Sequence, residues 1–261
     1  MLRKEKFYAK QSKCEFFRKE LEFVGYVVGA SGVRTQPEKV GTIKKWPEPT
    51  SAKDVRIFLG MCGFYQRFVS NYSHKVAPLT DLLKLTTEWA WGPAQRSGFQ
   101  QVKEDLCQTA TLAYPDTKKP FIVHLDASNI AMGATLSQTD EQGHVRLLCC
   151  ASRKFNSAEK NYPTHEREMM ALIFALTHWK HYLMGAHTVA YTDSSFLKFL
   201  TTLKDPSPRV VRWMATLSLY HCEIHHIPGS TNTAADALSR MYPEASLSML
   251  EVDLSDWASA Y

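Results

Sequence analysis

The stretch Phe121-Ile-Val-His-Leu-Asp-Ala-Ser128 constrains this chain more than any other. A run of β-branched and aromatic residues reads as a buried strand, and a buried strand needs a covered sheet around it. The run stops at a carboxylate. Asp126 is thereby expected where the strand leaves the sheet, its side chain fixed by rigid backbone. Three more acids fall at comparable junctions: Glu168, Asp193 and Asp236.

The residues around these acids alternate in type. Strands are expected near 120–126, 131–138 and 144–152, with Asp140-Glu-Gln-Gly143 as the turn between the last two. A long helix should run from Pro163 to about Leu183, because Met169, Leu172, Ile173 and Leu176 keep helical spacing and Gly185 ends it. A strand at 187–192 leads into Asp193 and a short helix. A helix near 208–220, a strand near 222–227 and a last helix from Thr233 to Arg240 come after it. This order predicts an α/β fold: a mixed five-stranded sheet flanked by helices, spanning 119–243.

The preceding residues read differently. Leu21 to Val28 is a strand candidate, Gly29-Ala-Ser-Gly32 a turn and Val33-Arg34-Thr35 a returning strand, so 1–48 should carry a β-hairpin. A hairpin alone is not stable and must lean on the helices expected after it. Pro47-Glu48-Pro49 breaks the chain, and 49–118 reads as mainly helical. Ser51 with Asp54 is a capping-box variant. Behind it Val55, Phe58, Leu59, Cys62, Tyr65 and Val69 keep helical spacing, with Lys53, Arg56 and Arg67 outside. Further helices are expected from Pro78 to Lys84 and from Pro93 to Gln108. Trp89-Ala-Trp91 between them reads as core packing, or alternatively as a base-stacking platform. Lys118-Lys119-Pro120 marks the boundary, and 244–261 is an acidic tail with four acids and no bases.

Charge points to a partner. Residues 1–120 carry 20 Lys and Arg against 12 Asp and Glu, a balance of +8, whereas 121–261 carry 11 against 14, a balance of −3. A basic front half suits a polyanion, or is simply a soluble surface. No apolar stretch is long enough to span a membrane, so no membrane partner is expected. The N-terminal Met1-Leu-Arg-Lys-Glu-Lys6 opens no secretory signal. Six cysteines without any Cys-x-x-Cys fit neither a zinc site nor a disulfide framework, which points to a reducing, intracellular setting in cytoplasm or nucleus.

Each acid alone has an ordinary explanation: Asp126 as a turn residue, Glu168 and Asp236 as solvated helix residues, Asp193 as a helix cap. Together they point elsewhere. Asp126 and Asp193 end strands that can be sheet neighbours, and ligands bind outside the carboxyl ends of strands in such sheets. Four carboxylates repel and need a cation. Oxygen-only ligands favour magnesium, with manganese as the alternative, and two such ions about 4 Å apart can act on a phosphodiester.

The second half resembles the ribonuclease H domain of gypsy-type long-terminal-repeat retrotransposons. The residues that carry the likeness are Leu125-Asp-Ala-Ser128, Ala151-Ser-Arg-Lys154, Glu159-Lys-Asn-Tyr162 with Glu166-Arg-Glu168, Tyr191-Thr-Asp193, and Pro228-Gly229 with Asn232 and Ala235-Asp-Ala-Leu-Ser-Arg240. The first half is similar to the end of the reverse transcriptase palm with its thumb and connecting region. There the matches are Lys13-Cys-Glu-Phe16, Phe23-Val-Gly-Tyr26, Pro47-Glu-Pro49, Phe58-Leu-Gly60, Phe64-Tyr-Gln-Arg-Phe68 and Pro78-Leu79.

The resemblance implies an RNase H-like fold and two metal ions held by Asp126, Glu168, Asp193 and Asp236. Asp126 would bridge both ions, Asp236 would share the water-activating one, and Glu168 with Asp193 would hold the one at the leaving 3′ oxygen. The implied reaction is hydrolysis of RNA in an RNA–DNA hybrid, with the Phe23–Tyr26 hairpin gripping the primer strand and residues 51–84 tracking the duplex. The polymerase turn of Tyr-x-Asp-Asp type is absent, so DNA synthesis is not expected from this chain alone and a separate polymerase chain is a candidate partner. No His-His-Cys-Cys pattern of an integrase occurs after Arg240. His225 and His226 precede Pro228-Gly229 and read as strand residues or as a mobile catalytic helper. A non-catalytic nucleic-acid-binding module, a remnant of such an element, is the second reading.

Overall fold

The computed structural model describes residues 4–6, 8, 10, 14–108, 111–194, 196–197 and 206–228. Asp236, the last predicted helix and the acidic tail lie outside the described residues, as does most of the short helix expected after Asp193.

Two sheets form. The first is an antiparallel three-stranded sheet of β1 (Glu20–Phe23), β2 (Tyr26–Gly29) and β3 (Gly32–Thr35). The expected single strand from Leu21 to Val28 is thus two strands. Val24 and Gly25 take φ of 47° and 78°, and Phe23 pairs with Tyr26 across them. Two successive positive φ values make the tight turn whose twist matches a hairpin, and Gly25 adopts its value without steric cost. The turn is hidden in sequence because its first residue is valine, normally a strand former. Tyr65 Oη donates to the Gly25 carbonyl at 2.9 Å, which ties this hairpin to the helical region.

The helical region holds α1 (Pro37–Lys44), α2 (Ala52–Phe64), a single 3₁₀ turn at Gln66–Phe68, α3 (Tyr72–Lys75), α4 (Ala77–Asp81) and α5 (Pro93–Cys107). Helix α1 was not expected, since Val40 and Ile43 are too few apolar residues to set a period. It forms because Pro37 opens it and Ile43 packs into the core. Ser51 caps α2 by accepting from the Asp54 amide at 3.2 Å, and Asp54 in turn accepts from the Thr50 amide at 3.1 Å. Val55, Phe58 and Cys62 are buried, while Lys53, Arg56 and Arg67 are exposed. Helix α2 ends at Phe64, so the apolar stripe through Tyr65 and Val69 continues beyond it over a tighter turn. Trp91 packs on this core and donates to Glu48 at 2.6 Å, whereas Trp89 is exposed and stacks on Trp91.

The second sheet is mixed, in the order β6-β5-β4-β7-β8. Its strands are β4 (Phe121–Ala127), β5 (Ala131–Thr139), β6 (Val145–Lys154), β7 (Thr188–Thr192) and β8 (Cys222–His226). β4, β5 and β6 form an antiparallel meander, while β7 and β8 run parallel to β4. Helices α6 (Thr164–His178) and α7 (Lys180–Leu183) come after the meander, and α8 (Pro208–Leu217) after β7. The expected long helix is broken at Trp179, which is buried and ends α6.

Alternation along β4 separates two cores. Phe121, Val123 and Leu125 face α6, packing with Met169, Leu172 and Leu176. The opposite face of the sheet meets the helical region, where Leu147 and Cys150 of β6 join Phe58, Phe99 and Leu106. Strict alternation would set residues 147 and 150 on opposite faces. A register shift opposite Leu136 and Ser137 leaves Leu148 as an extra residue, and this bulge returns Leu147 to the same face as Cys150.

Leu172 is fully buried beneath the sheet. Leu172→Ala is expected to lower the unfolding free energy by about 2–5 kcal/mol, read from urea denaturation.

Candidate active site

The β4–β7 pairing places two acids. His124 pairs with Tyr191 in parallel register. Two residues further on stand Asp126, in the last part of β4, and Asp193, directly after β7, so both lie at the carboxyl ends of neighbouring parallel strands. Both are exposed at the carboxyl ends of their strands.

Glu168 reaches this end of the sheet from α6. Three consecutive residues of that helix each tie to a different element. Buried Glu166 accepts from Ser207 Oγ at 2.9 Å and pairs with Arg209, whose guanidinium lies 3.6 Å from the Tyr162 ring centroid. Arg167 donates to Asn129 Oδ1 at 2.9 Å, in the turn after Asp126. Glu168 accepts from the hydroxyl of Ser194, a buried residue next to Asp193. That hydrogen bond holds Glu168 beside Asp193.

Asp126, Glu168 and Asp193 thus approach one end of the sheet from two strands and a helix. Among the described residues, no three His, Cys, Asp or Glu side chains stand close enough to hold a metal ion. The three acids share a location without forming a closed cluster. All their donor atoms are carboxylate oxygens, which suit hard cations with oxygen-rich coordination.

A neighbour that the sequence did not reveal lies on Asp126. Asn71, in the left-handed conformation with φ 52°, donates from Nδ2 to Asp126 Oδ2 at 2.7 Å. Beside it is a cleft of about 180 Å³ lined by Asn71, His74, Asp126, Ser128, Ala131 and Met132. Nothing local could have found Asn71, because it lies 55 residues before Asp126. Ser194 did have a signal, its place directly after Asp193, but Ser-Ser after a strand reads equally as a helix cap.

Several other reactive groups are packed away. His124 stacks on Tyr191 at 5.1 Å between ring centroids, and burial pushes its imidazole down to about 4, so it is neutral at physiological pH. His225 is buried in β8 against Tyr191, 3.4 Å from Glu223, and so fits the strand-residue alternative. Burial pushes Cys62, Cys150 and Cys222 up to about 12 and Cys149 to about 11, which leaves them protonated and poor nucleophiles.

Residues 116–220 match the family model of the RNase H-like domain found in reverse transcriptase, a span that includes Asp126, Glu168 and Asp193. The chain is 38% identical to the retrovirus-related Pol polyprotein from transposon opus of Drosophila melanogaster, over 93% of this chain and 25% of that protein. It is 37% identical to the corresponding polyprotein from transposon 297 of the same organism, over 88% of this chain and 21% of that protein. Its identity to the Transposon Tf2-3 polyprotein of Schizosaccharomyces pombe is 32%, over 90% of this chain and 18% of the relative. The chain therefore spans about a quarter or less of these relatives' length. Among solved structures, the foamy viral protease-reverse transcriptase in complex with RNA/DNA hybrid superposes with a TM-score of 0.66 at 21% identity, covering 92% of this chain and 33% of that one. The same viral protein in complex with dsDNA gives 0.67 at 21% identity, over 81% and 45%. At such identity the likeness is one of fold. No helix among the described residues is long and apolar enough to cross a membrane. Residues 116–220 thus match the RNase H-like domain found in reverse transcriptase, and the chain as a whole is similar to one part of retrotransposon Pol polyproteins.

Proposed function

We propose that this chain hydrolyses the RNA strand of RNA–DNA hybrids in a divalent-metal-dependent reaction, as the nuclease part of a reverse transcriptase. The observation that carries the reading is the position of Asp126 and Asp193 at the carboxyl ends of neighbouring parallel strands, with Glu168 tethered beside them through Ser194. Asp126, Glu168, Asp193 and Asp236 would hold magnesium, or manganese in its place. The bound ions would supply Lewis-acid activation of water and neutralise charge on the scissile phosphate.

The protein's own part is positioning. Rigid strand ends fix Asp126 and Asp193, and the Ser194 hydroxyl restricts Glu168. Lys53, Arg56 and Arg67 are exposed cations on and after α2, suited to phosphates of a duplex. Hybrid recognition would rest on duplex shape and the RNA 2′-hydroxyl rather than on base sequence. The foamy viral neighbours, solved with dsDNA and with RNA/DNA hybrid, support a duplex partner. One observation favours a non-catalytic binding module instead: the described acids do not close into a metal cluster.

Three measurements separate these readings. With a labelled hybrid and magnesium, the parent chain is expected to cut the RNA strand. Asp126→Asn should lose about a hundredfold or more, beyond the usual cost of a lost outer-shell partner. Hybrid bound but uncut by the folded parent would favour the binding module. Ser194→Ala frees Glu168 and is expected to lower kcat by about tenfold with KM little changed. An equal fall in thermal stability without any kcat effect would make Ser194 merely structural. Hybrid affinity should fall by about 10³ between about 50 and 200 mM salt if some six phosphates are contacted, and a flat response would count against that role for the exposed cations.

A further inference from the structure

The row of residues beneath Asn71 is built to receive it. Asp126 pairs with Gly133, and Gly133 pairs with Ser152, so the three lie in line across β4, β5 and β6. The segment Asn71–Ser73 lies along this row. Asn71 bonds Asp126 at one end, and at the other the Ser73 amide donates to Ser152 Oγ at 2.8 Å, with the two hydroxyls 3.1 Å apart. Gly133 makes the passage: a Cβ there would stand 2.0 Å from Asn71 Oδ1. Lys154, two residues beyond Ser152, donates to the carbonyl of Ala77, to Thr80 Oγ1 at 3.2 Å and to Asp81 at 2.8 Å, holding α4 over the same face.

This docking obstructs the carboxylate that leads the site. An amide N–H occupies one acceptor site of Asp126 Oδ2, and a cation bound at that site has to displace it. Asn71 and His74 line the cleft beside Asp126, so a ligand entering it meets both. From this geometry we infer that the helical region is an autoinhibitory gate on the nuclease centre, latched by Asn71 on Asp126 and Ser73 on Ser152. The docked arrangement is the closed state, and cleavage requires the Asn71–Ser73 segment to lift from the sheet. The inference rests on the nuclease reading.

Two variants of the full chain test it. Asn71→Gly removes the latch and keeps the left-handed backbone, which glycine adopts freely. Calorimetric titration with magnesium alone is expected to show affinity tighter on the order of fivefold, the scale of releasing one partly exposed charge-assisted hydrogen bond, with faster hybrid cleavage. Equal or weaker magnesium affinity would overturn the latch. In the second variant, Ser73→Cys and Ser152→Cys are combined with Cys14→Ser and Cys107→Ser, which removes the two cysteines that are not buried. Oxidation should staple the segment down and abolish cleavage, and reduction should restore it. Because both states are the same polypeptide, a folding defect would appear in both. Cleavage at equal rates in the two states would overturn the gate. A parent and an Asn71→Gly variant that both bind magnesium but cut nothing would overturn the nuclease reading, with the affinity comparison still deciding the latch.

Discussion

The parallel pairing of β4 with β7 is the constraint on which the rest of this structure depends. Parallel strands cannot be joined by a tight turn, so the chain must travel away and return. The excursion supplies β5, β6 and α6, and α6 packs back over the strands it connects. One pairing therefore accounts for both strand-end acids and for the helix that carries the third. Moving the β4–β7 register by one residue would turn the side chains of β7 to the opposite face of the sheet.

The short sequence Glu166-Arg167-Glu168 fixes α6 in rotation as well as in depth. Its side chains diverge to the start of α8, to the turn after β4 and to the residue after Asp193. A helix held from three directions has little freedom to turn. Glu166 is buried and ion-paired, and so acts as an anchor for the helix. Pairing of this kind avoids the large cost of a lone buried carboxylate.

The Ala151-Ser-Arg-Lys154 segment shows how one strand serves two neighbours. Ser152 and Lys154 face the helical region, where they hold Ser73 and α4. Arg153, on the other face, makes a two-pronged contact with Glu159 at 2.9 Å for each bond. The bulge at Leu148 lets Leu147 join Cys150 in the helical core. The sheet thus closes one core beneath α6 and lends its other face to the helices, so the two parts of the chain share packed surface.

Much of this was legible in the residues themselves. Apolar runs with turn residues between them specified all five strands of the mixed sheet, and the spacing of Met169, Leu172, Ile173 and Leu176 specified α6. These are local signals, set by side-chain period and backbone propensity, as is the placing of Asp126 and Asp193 at the ends of β4 and β7. Tertiary structure decided what depends on partners distant in sequence. It bent Leu21–Val28 into a hairpin through a valine held at positive φ, broke the long helix at buried Trp179, and recruited Glu166 and Ser194 as supports. It also laid Asn71 on Asp126 across a row that exists only once three strands are in register. The sequence by itself determined which acids stand at the strand ends. Only the folded chain decided what covers them, because a contact across 55 residues depends on the packing of two cores and leaves no periodic trace.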